Sequence, residues 1–281
     1  MKKNRLFGLI TVAAALLVFA TACGKSSSSA STGSDNAAVA KIKKSGKIKI
    51  AVFGDLPPYG WINKSGKRVG YDLALARRIA KDLGVKPEFT QVNANGRVDA
   101  LNAGKVDLVL ANFTETPQRK SVVDFAKPYM KVSVGVVSPR NAAITKASQL
   151  SSKSVIVTKG TTAEQYFTQS QKSVKLQKYD SKTQQFNALK SGRAAALADD
   201  NSYLYAWAKK NPKYRVGIKT LGPNSYIAPA VKKGNKSLLN WTNKEITKLT
   251  NDGFFNKAYK QELAPYFGSD VTAKDIVITK K

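Results

Sequence analysis

Residues 111–125 read Ala111-Asn-Phe-Thr-Glu-Thr-Pro-Gln-Arg-Lys-Ser-Val-Val-Asp-Phe125, and the apolar run before them, residues 106–110, predicts a buried strand. Thr116 can cap a helix, and Pro117 suits the first helical position, where a missing N–H costs nothing. Arg119 then falls in the first turn, where the positive end of the helix dipole disfavours a cation. Either Arg119 is a solvated residue of an ordinary strand-loop-helix unit, or an anion lies close to it.

The N-terminal residues predict a secretory signal peptide over residues 1–22. Three basic residues precede an apolar run, residues 6–19, that is too short to span a membrane comfortably. Small residues then precede Cys23, as in bacterial lipoproteins, where this cysteine is acylated. The alternative is an ordinary signal peptide with a spare cysteine. Against it, Cys23 is the only cysteine, and secreted proteins usually avoid a free thiol.

The residues after Cys23 are rich in Ser and Gly and have no apolar periodicity. This composition predicts a flexible tether, and we assign the lipidated cysteine and the tether to residues 23–44. No later stretch of sequence is long and apolar enough to cross a membrane. We therefore expect the folded part to be extracytoplasmic. Lipid would anchor it to the outer face of the cell membrane, in the periplasm if the organism has an outer membrane.

The chain is strongly basic, with 47 Lys and Arg against 18 Asp and Glu and a net charge of +29. Such a charge often indicates nucleic acid, but a secreted protein does not meet that partner, and the basic residues are spread along the chain, mostly as Lys. A solvated surface facing anionic lipid and wall polymer is the better interpretation. About 235 residues remain after the tether, a length that suits two lobes.

The residue types that are missing restrict the chemistry. The chain has no histidine and a single cysteine, which excludes Ser-His and Cys-His nucleophiles and the usual zinc sites. No glycine-rich phosphate loop of the Walker type is present. We expect no cofactor and no metal, and the composition argues against catalysis, although paired carboxylates could still act.

Hydrophobic periodicity predicts strands alternating with helices in the first half of the chain. The helix that starts at Asp72 carries Leu75, Ile79 and Leu83 on one face and ends at Gly84. Strands are predicted at residues 47–53, 85–92 and 106–110, and a further helix at 98–103. This order is typical of an α/β fold with a largely parallel sheet.

The same order recurs after residue 140, and one segment echoes another. Residues 101–112 and 189–200 both run from a helix end through Gly and a basic residue into an apolar strand. Asn112 and Asp200 occupy matching strand ends. The echo could be chance, because helix-Gly-strand units are common, but ligands of open α/β sheets bind beyond the carboxyl ends of strands.

Two extended segments, residues 133–138 and 227–231, would form a two-strand hinge if both cross between lobes. We therefore predict lobe 1 over residues 45–136 and lobe 2 over residues 137–228. Residues 229–281 would return to lobe 1 and end in a C-terminal tail.

Six motifs follow one another along the chain: Gly54-Asp-Leu-Pro-Pro-Tyr-Gly60, Gly70-Tyr-Asp72, residues 111–120 with Val123-Asp-Phe125, Lys159-Gly-Thr-Thr162, Ala198-Asp-Asp200 and residues 227–234. In this order they resemble the motifs of the bacterial extracellular solute-binding proteins of the polar amino-acid uptake family, family 3. Within the family they are most similar to those of the cysteine-binding lipoproteins, followed by the neighbouring acidic amino-acid branch. The resemblance covers nearly the whole chain and implies a two-lobed α/β fold of the type II periplasmic-binding-protein kind. Its sheets would be mostly parallel and flanked by helices, with a two-strand hinge.

The resemblance also implies roles for individual residues around an amino-acid carboxylate. Arg119 would hold the α-carboxylate in a forked pair, a geometry that suits a guanidinium. Thr114 and Thr116 would add hydroxyl or backbone contacts. Thr161 and Thr162 would offer hydroxyl and N–H groups at a second helix start.

The remaining implied site residues surround the amino group and the side chain of the ligand. Asp200 would take the α-ammonium, and Asn112 stands at the matching strand end. Tyr59 would wall the pocket. Arg97 would reach the ligand side chain, unless it is a surface residue at a helix start. Asp55 stands two residues after the position where many relatives carry an acid.

The implied function is the capture of one free polar L-amino acid by lobe closure and its delivery to an ABC-type permease. Cysteine is the first candidate ligand, followed by glutamate and aspartate. The protein would act as a monomer anchored to the membrane by lipid, with no nucleic-acid partner. Two alternatives are an enzyme of the same fold, similar to cyclohexadienyl dehydratase with Glu115 or Asp55 as its acid, and a surface adhesin.

Overall fold

A computed structural model describes residues 37–268 and 271–279. The predicted signal peptide, Cys23 and the first part of the predicted tether lie outside the described residues. One mixed five-stranded sheet forms the centre of the first lobe. In spatial order its strands are β5 (Lys86–Gln91), β1 (Lys47–Val52), β6 (Leu108–Val109), β13 (Ala230–Lys232) and β7 (Val123–Phe125).

A second five-stranded sheet forms the centre of the second lobe. In spatial order its strands are β10 (Lys175–Tyr179), β9 (Ser154–Thr158), β11 (Ala196–Asp200), β8 (Met130–Pro139) and β12 (Tyr214–Ile227). A small antiparallel sheet belongs to the first lobe and contains β2 (Asp55–Leu56), β3 (Gly60–Ile62) and β4 (Arg68–Val69).

Helices connect the strands. The α-helices are α1 (Ala37–Ser45), α2 (Tyr71–Leu83), α3 (Arg97–Asn102), α4 (Pro117–Val122), α5 (Thr162–Ser170), α6 (Lys182–Lys190), α7 (Asn201–Lys210), α8 (Lys236–Asn251), α9 (Phe254–Ala258) and α10 (Ala273–Ile276). Short 3₁₀ turns lie at Arg140–Ala142, Ala147–Leu150 and Ala264–Tyr266, and one π-helical turn lies at Tyr259–Leu263.

The predicted alternation of strands and helices agrees with the structure, but the sheets are less parallel than expected. In each sheet the three βα strands are parallel: β5, β1 and β6 in the first lobe, and β10, β9 and β11 in the second. The strands that cross or return between the lobes, β8, β12 and β13, all pair antiparallel. β8 and β13 run against their neighbours because they enter their sheets from the other lobe rather than through a βαβ connection. β12 follows β11 and α7 within the second lobe, and it pairs antiparallel because its partner is β8.

The strands of the two similar segments, residues 101–112 and 189–200, occupy equivalent positions in the two sheets. β6 lies beside β1 in the first sheet, and β11 lies beside β9 in the second. The residues that follow β6 and those that end β11 therefore meet at the facing edges of the two lobes. Ligands of open α/β sheets bind at such carboxyl ends.

The crossing between the lobes lies earlier in the chain than predicted. Two backbone hydrogen bonds join the crossing segments, from Ala126 N to Pro229 O at 2.8 Å and from Tyr129 N to Ile227 O at 3.0 Å. Residues 133–138, predicted as part of the hinge, lie wholly in the second sheet. The predicted lobe boundary at residue 136 was wrong, because β8 pairs with β12 from Met130 onward and so joins the second lobe there.

The predicted tether also ends too late. Residues 37–44 belong to α1, in which Val39 and Ile42 are buried. The amide of Val39 donates to Ser237 Oγ at 3.2 Å, which fixes α1 against α8. Two apolar residues three positions apart were enough to dock a short helix that composition alone assigned to flexible chain.

Helix α2 shows how local sequence positions the first lobe. Its predicted apolar face is buried at Leu75, Ile79 and Leu83. Gly84 ends the helix with φ 74°, a left-handed conformation that glycine adopts at little cost. No described helix is long and apolar enough to cross a membrane.

Gly160 lies where the two lobes touch, and this contact generates a prediction. A Cβ at Gly160 would lie 2.7 Å from Asn95 Cα and 2.8 Å from Asn95 N, both backbone atoms of the other lobe. Gly192 has a similar positive φ, 68° against 73°, but nothing lies within 4 Å of its would-be Cβ. Gly160→Ala should therefore hinder lobe closure, whereas Gly192→Ala should not.

The measurement is small-angle scattering together with unfolding by urea. Both variants should lose a similar stability of about 1 kcal/mol, because alanine is strained at positive φ. Only Gly160→Ala should favour a more extended shape. Equal scattering profiles for the two variants would show that the Asn95 contact does not limit closure.

Candidate functional site

A small cavity lies between the carboxyl ends of β6 and β11, where the two lobes face each other. The empty space there, including space open to solvent, is about 240 Å³. Both lobes contribute to its walls, and five of the lining side chains are charged. The lining residues are Phe53, Ala94, Arg97, Asn112, Thr114, Arg119, Thr161, Thr162, Lys182, Asp199 and Asp200.

Arg119 lies in the first turn of α4, as the opening motif predicted, and its side chain lines the cavity. Thr116 caps this helix by accepting a hydrogen bond from Arg119 N at 3.2 Å. The Arg119 guanidinium donates to Thr114 O at 2.5 Å and to Gly160 O of the other lobe at 2.8 Å. Burial lowers the pKa of Arg119 to about 10, with Asp200 acting in the opposite direction, so the guanidinium stays charged at neutral pH. Its remaining N–H donors are available for a carboxylate.

Arg97 lies in a different environment from Arg119. It is 3% exposed, which excludes the surface position considered as an alternative. Four hydrogen bonds run from its guanidinium to backbone carbonyls: Ala94 O at 2.9 Å, Ala111 O at 3.0 Å, Asn112 O at 2.9 Å and Gly160 O at 3.0 Å. The guanidinium also lies over the Phe113 ring, 4.5 Å from its centroid. Since an arginine has five N–H donors, little remains for a ligand.

Asn112 links the two lobes at the centre of the site. Its backbone has φ 44°, an uncommon value for a residue other than glycine. This conformation directs its Nδ2 to Asp200 Oδ2 at 2.6 Å, while its backbone N donates to the buried carboxylate of Asp72 at 2.8 Å. Its side-chain oxygen Oδ1 is buried and has no hydrogen-bond partner among the described residues.

Two buried carboxyl groups flank Asn112, and both are made less acidic by their surroundings. Desolvation raises the pKa of Asp72 to about 6, although hydrogen bonds from Tyr129 and Asn112 act in the opposite direction. Desolvation also raises the pKa of Asp200 to about 6, and the neighbouring carboxylate of Asp199 adds to the effect. Lys182, Asn112 and Arg97 favour the charged form of Asp200.

Lys182 and Asp199 line the cavity, but the sequence did not indicate them. They form an ion pair at 2.5 Å in which both side chains are 4% exposed. Lysine at a helix start and the first of two adjacent aspartates are both ordinary surface features in sequence. Only the depth of burial distinguishes them, and one sequence does not report it.

Three of the four threonines predicted at the site line the cavity. Thr114, Thr161 and Thr162 line the cavity, whereas Thr116 caps α4 and lies outside the lining. The hydroxyl of Thr161 accepts from Glu164 N at 3.2 Å and donates to Thr158 O at 2.7 Å. Because the hydroxyl proton is engaged by Thr158 O, Thr161 can donate to a ligand carboxylate only through its backbone N–H.

Tyr59 and Asp55, both predicted at the pocket, do not line the cavity. Tyr59 is fully buried, and its hydroxyl lies 2.5 Å from Ser202 Oγ of the other lobe. Asp55 Oδ2 accepts from Lys182 N at 3.0 Å and from Thr183 N at 3.3 Å. Both residues therefore make contacts between the lobes.

The arrangement suits a small zwitterion. Arg119 on the first lobe and Asp200 on the second lobe place opposite charges on the two sides of one cavity. Within the described part of the chain, no group of three or more His, Cys, Asp or Glu side chains is placed to hold a metal ion.

The sequence profile of the bacterial extracellular solute-binding proteins, family 3, matches residues 48–265. The chain belongs to this family. The match covers both lobes and every residue that lines the cavity.

Relatives and solved structures agree with the family. The glutamine-binding protein GlnH of an ABC transporter from Bacillus subtilis is 31% identical over 93% of this chain and 97% of its own length. A crystal structure described as the solute receptors for L-cysteine of Neisseria gonorrhoeae matches this chain with a TM-score of 0.84 and 51% sequence identity. The match covers 85% of this chain and 99% of the Neisseria chain. The cysteine-binding protein from Campylobacter jejuni has a crystal structure that superposes on this chain with a TM-score of 0.84 and 48% sequence identity. That match covers 86% of this chain and 99% of the Campylobacter protein. The two-lobed type II fold is thereby confirmed, and the chain is similar to binding proteins of transport systems rather than to enzymes.

The raised pKa of Asp200 generates a prediction about stability. A carboxyl group that is less acidic in the folded state stabilises the fold fully below its unfolded pKa of about 4, and this stability is lost as the pH rises through about 6. Asp200→Asn should therefore increase the free energy of unfolding at pH 7 by about 1–3 kcal/mol. The gain should vanish near pH 4.

Urea unfolding at several pH values measures this difference. The exposed residue Asp252 supplies the control, and Asp252→Asn should change stability by less than about 0.5 kcal/mol at every pH. A variant Asp200→Asn that is less stable than wild type at pH 7 would contradict the argument. It would mean that the carboxylate charge is stabilised where it lies.

Proposed function

We propose that this protein captures a free L-amino acid between its lobes and delivers it to an ABC-type permease. The observation that carries the proposal is the pair of opposite charges, Arg119 and Asp200, on opposite walls of one small cavity. Arg119 would hold the α-carboxylate through its remaining N–H donors. Asp200 and the unpaired Oδ1 of Asn112 would accept hydrogen bonds from the α-ammonium.

Lobe closure would be the working motion. Four contacts between side chains and the opposite lobe support it: Asn112 with Asp200, Tyr59 with Ser202, Asp55 with the start of α6, and Arg119 with Gly160. A ligand that bridges Arg119 and Asp200 would favour the closed form, because it interacts with both lobes only there.

We propose a cysteine-type ligand. Two solved structures at 51% and 48% identity are named for L-cysteine binding. Glutamate and aspartate, the next candidates from sequence, would need a second cationic partner. Arg97 is poorly suited to that role, because four hydrogen bonds to backbone carbonyls already occupy its guanidinium.

The dehydratase and adhesin alternatives receive less support. The two acids suggested for an enzyme do not reach the cavity: Glu115 pairs with Lys120, and Asp55 accepts N–H groups at the start of α6. An adhesin would not need a half-buried Arg119 opposite a buried Asp200.

Lipid anchoring and extracytoplasmic location complete the proposal. They rest on the signal-peptide pattern and on Cys23, and they agree with a family of extracellular proteins. The protein would work as a monomer that presents its closed form to the permease.

The central prediction concerns the α-carboxylate. Calorimetry with L-cysteine, L-glutamine, L-glutamate and L-arginine should find L-cysteine the tightest ligand of the wild type, and its α-amide should not bind. Arg119→Ala should weaken binding by about 30-fold to several thousand-fold, because truncating one partner of a desolvated charge pair costs roughly 2–5 kcal/mol.

Arg193→Ala is the matched control for this prediction, since it removes the same charge from an exposed position of the second lobe. It should leave affinity unchanged. The proposal fails if Arg119→Ala binds L-cysteine as tightly as Arg193→Ala does. Tighter binding of L-glutamine than of L-cysteine would correct the ligand while keeping the site.

The anchor has its own test. Cys23→Ser should release the protein to the medium or leave it unprocessed, because the acylated thiol is lost. Fractionation of cells that express each form measures this. A processed Cys23→Ser protein that stays in the membrane fraction would argue against lipid attachment at Cys23.

A further inference from the structure

A buried ion pair lies beside the proposed ammonium subsite, within the second lobe. Lys182 Nζ contacts Asp199 Oδ2 at 2.5 Å, and each side chain is 4% exposed. The same oxygen accepts from Gln185 Nε2 at 2.6 Å, while Asp199 Oδ1 accepts from Asp200 N at 2.9 Å. Asp199 therefore receives donors on both carboxylate oxygens.

Two adjacent carboxylates reach the same cavity, which is unusual for a strand. Successive side chains of a strand normally point to opposite faces. Asp200 is the last residue of β11 and also precedes α7, with φ −57° and ψ 126°, and both Asp199 and Asp200 line the cavity. Two buried carboxylates so close together do not both ionise unless a cation compensates one of them.

The other charged groups near Asp200 identify which cation compensates. Arg97, Arg119 and Tyr59 lie on the first lobe, and they move away from Asp200 when the lobes separate. Among the residues that line the cavity, Lys182 is the cation of the second lobe. Because Lys182 and Asp199 both belong to the second lobe, separation of the lobes would leave their ion pair intact.

We propose that Lys182 is a positioning residue of the amino-acid site, whose ammonium neutralises Asp199 so that Asp200 alone presents a negative charge to the ligand ammonium. This inference rests on the proposed function. The three side chains together carry a single net negative charge, which matches one α-ammonium. The first lobe supports the arrangement, since Asp55 accepts the N–H groups of Lys182 and Thr183 and fixes the start of α6.

The first test needs no ligand. Carboxyl ¹³C NMR titration of the purified protein follows the ionisation of Asp200, assigned by the loss of its signal in Asp200→Asn. Lys182→Met should move the midpoint of Asp200 upward by about one pH unit or more, because an uncompensated neighbouring carboxylate disfavours its ionisation. Lys190→Met removes the same charge from the exposed end of the same helix and should leave the midpoint unchanged.

A double variant separates electrostatics from damage to the fold. Lys182→Met combined with Asp199→Asn removes both members of the ion pair and should return the midpoint of Asp200 towards the wild-type value. Lys182→Arg keeps the charge and should also keep the midpoint. If Lys182→Met does not fold, these two variants still decide the matter. The proposal is overturned if the midpoint of Asp200 is strongly raised in the double variant. It is also overturned if the midpoint of Asp200 in Lys182→Met equals that in Lys190→Met.

The second test measures the affinity for L-cysteine from pH 5 to pH 9 under reducing conditions. Lys182→Met should lose about twofold to tenfold in affinity at pH 7, for a rise of about one to two units in the midpoint of Asp200, and recover most of it at pH 9, where Asp200 is ionised again. A loss that is the same at every pH indicates a purely structural role and overturns the proposal. If the wild type does not bind L-cysteine, the proposed function fails on its ligand, and the NMR titration still decides the role of Lys182.

Discussion

The buried guanidinium of Arg97 is the interaction on which the geometry of the site depends. A charge at 3% exposure is costly unless every nearby donor and acceptor is satisfied, and Arg97 meets this condition with carbonyl oxygens from three segments of the chain. Two of these segments belong to the first lobe, and Gly160 belongs to the second. One side chain therefore fixes the loop before α3, the end of the β6 strand and the approach of the other lobe.

The conformation of Asn112 follows from that constraint. With its carbonyl held by Arg97 and its N–H held by Asp72, the residue adopts φ 44° and directs its amide across the cleft to Asp200. Strain and unpaired polar atoms concentrate at functional sites. Here both occur in the same residue, because Asn112 Oδ1 is also buried without a partner among the described residues.

The electrostatics of the cavity favour binding over stability. Asp72 and Asp200 are buried carboxyl groups whose pKa values are raised to about 6, so their charged forms are costly at neutral pH. Such a cost to stability is expected where a protein retains a buried charged group in order to bind a ligand. The ion pair between Lys182 and Asp199 limits this cost within the second lobe.

The sequence by itself determined most of the strands and helices, and it indicated two candidate residues of the site. Periodicity, caps and the echoed strand ends located Arg119 and Asp200, because those signals depend on neighbours within a few residues. Only the tertiary structure decided which residues are buried and where the lobes meet. It placed Lys182 in the cavity and moved Tyr59 and Asp55 to contacts between the lobes, because such contacts join positions more than a hundred residues apart. No local pattern in one sequence encodes that pairing.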